Sequence, residues 1–76
     1  VLLFAAYAEA LGADALTVDV PEGATLGDVV AEIRRRPGGD RVPPAPLVAC
    51  NQRYATLADV VSPADEVALI PPVAGG

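Results

Sequence analysis

The residues of this chain best suited to chemistry are its last six, Pro71-Pro72-Val73-Ala74-Gly75-Gly76. Pro-Pro prefers the extended polyproline conformation and cannot add to a sheet edge, so it should hold the last residues away from the body. The five residues from Pro72 to Gly76 can span roughly 16 Å when extended. Val and Ala are small and Gly has no side chain, so such a tail fits a narrow channel in another protein. The group it would deliver is the Gly76 carboxyl. At a pKa of about 3.5 this is an unreactive anion at neutral pH, and a separate enzyme must activate it, for example as an acyl-adenylate made from ATP. Sulfur attacking the adenylate gives a thiocarboxylate, and an amine gives an amide. The chain then supplies position while its partners supply the chemistry.

Other chemistries find few residues to use. There is no His, no Lys and one Cys among 76 residues. Zinc sites of ordinary ligand number, Ser-His-Asp and Cys-His pairs, and phosphate loops ending in Gly-Lys-Ser/Thr are therefore excluded. The net charge of −5, with five Arg as the only cations, argues against nucleic acid. Cys50 reads either as a reactive thiol or as a small apolar residue in a strand, and a lone Cys fits a reducing, cytoplasmic setting. Asp65-Glu66 is an acidic pair, but neighbours in a strand point to opposite faces, so a solvated turn suits it better than joint catalysis.

The elements that must position the tail can be read from periodicity. Residues 1–6 (Val-Leu-Leu-Phe-Ala-Ala) are continuously apolar, as in a strand buried on both faces. Glu9 interrupts the run well short of a membrane span, and no basic region precedes it as in a signal peptide. No Met opens the sequence, which implies that residues precede Val1. Residues 5–11 suggest a short helical turn stopped by Gly12. Leu16-Thr17-Val18-Asp19-Val20 alternates as a half-buried strand. Leu26, Val29, Val30 and Ile33 fall on one helical face, with Thr25 and Asp28 placed for a capping box. Arg34-Arg35-Arg36 sits at the helix C-terminus, as a solvated end or a docking patch for an acidic partner, and Pro37-Gly38-Gly39 stops the helix. After a stiff Pro43-Pro44-Ala45-Pro46 connector come a strand at residues 47–50, a turn at 51–53 and a short return at 54–55. Residues 57–61 suit either a helical turn or an extended stretch. Ser62-Pro63-Ala64-Asp65 is a turn, and residues 66–70 form the last strand.

The expected fold is thus α+β in the order β, β, α, β, β, β: a mixed sheet of about five strands under one amphipathic helix. Residues 1–70 would form the domain and residues 71–76 the tail. A domain this small buries only about 60% of its unfolded surface. With 53% hydrophobic residues, some apolar surface should remain for a partner.

The whole chain resembles the small, sulfur-carrier subunit of molybdopterin synthase (the MoaD family), within the ubiquitin-like MoaD/ThiS superfamily of β-grasp proteins. The resemblance rests on Val1-Leu2-Leu3-Phe4-Ala5 with Glu9 and Gly12, on Val48-Ala49-Cys50-Asn51-Gln52, and above all on Asp65-Glu66-Val67-Ala68-Leu69-Ile70-Pro71-Pro72-Val73-Ala74-Gly75-Gly76. It implies no catalysis by the chain alone and no bound cofactor or metal. A ubiquitin-activating-type enzyme (MoeB type) would spend ATP to adenylate Gly76, which then becomes a thiocarboxylate. The tail, Pro71 to Gly76, would enter the large subunit (MoaE type) of a heterotetramer and give sulfur to cyclic pyranopterin monophosphate. Phe4, Tyr54 and Ile70 match positions that face the large subunit in the family, although core packing is the other reading of each. Two positions depart from the pattern: Ala64 stands where Gly is usual, and Ala8 where Arg is frequent. Sulfur carriers for thiamin thiazole or for tRNA thiolation, a lysine-linked protein modifier and a β-grasp binding module are the competing readings.

Overall fold

Apolar segments from the two ends of the chain and a hairpin from its second half come together as one sheet. The computed structural model describes residues 1–72. In order they form β1 (Leu2–Leu3), α1 (Ala5–Leu11), α2 (Leu26–Arg34), a 3-10 turn at Gly39–Arg41, β2 (Leu47–Cys50), β3 (Arg53–Ala55) and β4 (Val67–Ile70). The strands lie in the order β1-β4-β2-β3. β1 runs parallel to β4, while β4 and β2, and β2 and β3, are antiparallel. First and last strands therefore pair side by side, which with α2 across one face is the ubiquitin-like β-grasp.

Helix α2 forms as its pattern requires. Thr25 accepts from the Asp28 amide, and the Asp28 carboxylate accepts from the Thr25 amide, a complete capping box. The next two amides of the helix donate to Asp59 and Leu57 carbonyls, so the loop at residues 57–61 satisfies the open helix end. That loop is a turn followed by an extended stretch, with a bridge between Thr25 and Val60. Leu26, Val29, Val30 and Ile33 are all buried against Leu3, Tyr7, Val42, Val48, Val67 and Leu69. At the other end, Gly38 takes φ +83° and lies against the Ala10 carbonyl, where a Cβ has no room. This fixes where α2 exits relative to α1.

Three expectations need correction. The sheet has four strands rather than about five, because Leu16-Thr17-Val18-Asp19-Val20 forms no ladder. Its alternation is real, with Leu16, Val18 and Val20 half-buried and Thr17 and Asp19 exposed. However, Ala15 pairs with Leu2 and Leu16 bonds to Val1, so residues 17–20 run on past β1 without a facing strand. The opening strand covers only Leu2–Leu3 of the six expected residues and is not buried on both faces. Ala5 turns to φ +46°, which ends the strand and starts α1. The last strand begins at Val67, since the Glu66 amide bonds to the Asn51 side chain instead.

Candidate functional site

Strand register decides which side chains are free for a partner. Leu3, Leu69, Val48 and Ala55 are paired in register across the four strands and face α2. One residue earlier or later, side chains emerge on the opposite face. There Leu2, Ala68, Ala49 and Tyr54 form one row across the sheet, and Ile70 beside Leu47 begins a second. Phe4, just beyond β1, completes that second row and lines the same shallow groove, of about 340 Å3.

Phe4, Tyr54 and Ile70 are thus brought together on the face away from the helix, and none belongs to the core cluster. Phe4 is 49% and Tyr54 74% exposed, which leaves the core reading of these two without support. Ile70 is half-buried among its sheet neighbours. Leu47, a further exposed residue of this face at 48%, was missed from sequence. Its signal was available: residues 47 and 49 share a face, as do 66, 68 and 70. The groove leads along β4 to Pro71 and Pro72, half-buried and exposed respectively. Val73, Ala74, Gly75 and Gly76, on which the proposed chemistry rests, lie outside the described residues.

A polar device at the opposite end of the groove was also missed. β2 and β3 are joined by the two residues Asn51 and Gln52, both left-handed at φ +53° and +68°. The Asn51 amide bonds to the Glu66 carbonyl at 2.7 Å, and its side chain accepts from the Glu66 amide at 2.9 Å. The same side chain donates to the Asp65 carboxylate at 3.0 Å, which also accepts from the Ser62 amide at 2.8 Å. Those two bonds hold the Asp65 carboxyl below the usual carboxylate range. The central and closing motifs noted in the sequence are therefore clamped to each other. Ala64, where the resemblance leads to an expectation of Gly, fits because this turn closes from the Asp65 amide to Ser62 without a left-handed residue at 64.

Two other candidates become less interesting in their surroundings. Cys50 is half-buried against the core, and burial, followed by the Asp65 carboxylate and Asp59, pushes its thiol up. That is the opposite of an activated thiolate. In the Arg run, Arg34 donates to the Val42 carbonyl, Arg36 to the Thr17 carbonyl, and Arg35 pairs with Glu32 at 3.1 Å. These guanidiniums tie the helix end to its neighbours. Among the described residues no group of three His, Cys, Asp or Glu is placed to hold a metal ion, and no helix is long and apolar enough to cross a membrane.

Comparison with known proteins covers the entire chain. The ThiS family matches residues 1–76. A molybdopterin synthase sulfur carrier subunit of Arabidopsis thaliana is 36% identical over 77 residues, covering all of this chain and 80% of that protein. A protein of the same description from Homo sapiens is 39% identical over 80 residues, covering all of this chain and 91% of the relative. Among solved structures, small archaeal modifier protein 1 of Haloferax volcanii superposes with a TM-score of 0.83 at 32% identity, over 95% of this chain and 93% of that one.

Proposed function

The chain belongs to the ThiS family, and from that premise we propose that it is the sulfur-carrier subunit of a molybdopterin synthase. The observation that carries this reading is likeness over the full chain, at 36–39% identity, to proteins that bear that description in a plant, an alga and a human. The apolar sheet face and the Pro71-Pro72 exit support it, because a carrier needs a docking surface continuous with its tail.

In this reading the domain ends near Ile70 and residues 71–76 are its delivery arm. An activating enzyme of MoeB type transfers the adenylyl group of ATP to the Gly76 carboxylate and releases pyrophosphate. A sulfur nucleophile then forms the C–S bond, the bond to phosphate breaks, and AMP leaves. Gly75 gives the backbone close access to the enzyme that performs the exchange. Phe4, Tyr54 and Ile70 dock on the large, MoaE-type subunit while Pro71, Pro72, Val73 and Ala74 thread the thiocarboxylate to cyclic pyranopterin monophosphate. Two large and two small subunits make the complex, which works in the cytoplasm.

Intact mass after incubation with ATP, a sulfur source and the cell's activating enzyme tests this. The expected result is a mass rise equal to one oxygen replaced by sulfur, absent when Gly76 is deleted. No shift, with an enzyme competent on another carrier, would sink it. The likeness to small archaeal modifier protein 1 favours a second reading, attachment of Gly76 to lysine amines of other proteins. Adducts of this chain in cell extracts, resistant to thiols, are its signature. Thiamin-thiazole and tRNA-thiolation roles are separated by which acceptor takes sulfur from the loaded chain.

A further inference from the structure

The apolar rows of the docking face give attraction but little direction, since dispersion and hydrophobic contacts are non-directional. Direction must come from polar groups at fixed positions, and the groove has them at one end only. Glu66 continues the β4 face that carries Ala68 and Ile70, and Gln52 lies beside it at the tip of the β2–β3 hairpin; both line the groove. We propose that Gln52 and Glu66 form a polar contact for the large synthase subunit, met there by a basic side chain, and that this contact fixes the orientation in which the tail is delivered. The proposal rests on the sulfur-carrier reading above.

Three observations carry it. First, a two-residue hairpin with both residues left-handed favours Asn-Gly, and Gln at the second position bears a steric cost that Gly would not. A side chain placed at that cost points to a use for it. Second, both groups are unpartnered. Gln52 makes no side-chain hydrogen bond among the described residues, and the Glu66 carboxylate is exposed with no cation within ion-pair distance, Arg35–Glu32 being the sole ion pair described. Third, Asn51 fixes the backbone that carries both, since it precedes Gln52 and bonds twice to the Glu66 backbone. A carboxylate rising from a fixed backbone, with a side-chain amide lining the same groove, suits a guanidinium or ammonium group. From Glu66 to Ile70 the strand advances roughly 13 Å, so a cation at one end and the tail at the other define one docking polarity. A subunit of a lasting complex needs that polarity more than a transient encounter does.

The test uses the full chain and the purified large subunit, with affinity measured at low and moderate salt. Gln52→Gly should raise the thermal midpoint yet weaken binding by about fivefold, a combination a merely structural role does not produce. Glu66→Gln should weaken binding by about tenfold at low salt and flatten its salt dependence. Wild-type affinity and salt dependence in both variants would overturn the proposal, provided Tyr54→Ala weakens binding and so shows the face to be engaged. If wild type binds the large subunit no better than Tyr54→Ala, the docking reading falls and this inference with it. Loss of adenylation by the activating enzyme with unchanged large-subunit affinity would also overturn it, since the contact would then belong to that enzyme.

Discussion

The Asp65 carboxylate, next to Glu66 at one end of the candidate groove, is held by two hydrogen-bond donors. It accepts from the Asn51 side chain and the Ser62 amide, and these bonds lower its proton affinity in the folded chain. A carboxyl that is more acidic folded than unfolded stabilises the fold fully above the usual carboxylate pKa. That contribution fades as pH falls through its depressed folded value, because the unfolded chain takes up the proton first. Urea midpoints of wild type and Asp65→Ala should therefore differ most near neutrality and converge in acid. A gap independent of pH would assign the effect to turn geometry alone. Cys50 yields an opposite expectation, since burial and neighbouring carboxylates favour its neutral thiol. Alkylation at neutral pH should be slow in the folded chain and speed up sharply in urea, as tracked by mass spectrometry. Equal rates would show that the thiol is open and ordinary.

At the scale of elements, the two ends of α2 are stabilised by different physics. Thr25→Ala removes a capping box and should cost about 1 kcal/mol in urea unfolding. Gly38→Ala and Gly39→Ala should cost more, at least about 3 kcal/mol each, because the added methyl meets the Ala10 or Ile33 carbonyl rather than a side chain that can move. Losses near those of Thr25→Ala would mean that the exit from α2 relaxes easily. This contrast also explains which elements could be read from sequence. The cap and the apolar face of α2 are written within ten residues, so both were legible. The Gly39–Arg41 turn and the contact of Gly38 with α1 depend on a meeting between segments distant in the chain, and no local pattern announces them. Residues 16–20 failed for a related reason. Their alternation correctly gave the buried side, but a strand also needs a partner, and the Val1–Leu16 register sends them past β1.

For the whole molecule, the sheet separates its buried face from the proposed docking face by a single residue step. Leu69 is fully buried under α2, and its neighbour Ile70 opens on the other face beside Leu47 and Phe4. The tail motif and the membership of Phe4, Tyr54 and Ile70 in one candidate surface were legible from the resemblance. Which face of the sheet was wet was not, because short apolar strands alternate Leu, Ala and Val on both sides and only the pairing register tells them apart. Leu69→Ala should accordingly cost about 3 kcal/mol of folding stability, while leaving the affinity of the chain that remains folded close to normal. Ile70→Ala should cost about 1 kcal/mol, being half-buried, yet, as part of the proposed docking face, reduce large-subunit binding by at least about tenfold. Unfolding and binding measured on the two variants side by side test the division directly. Binding lost in step with stability at both positions would mean that the sheet acts as one unit, without a separable docking face, and the partner surface would have to be sought elsewhere on the domain.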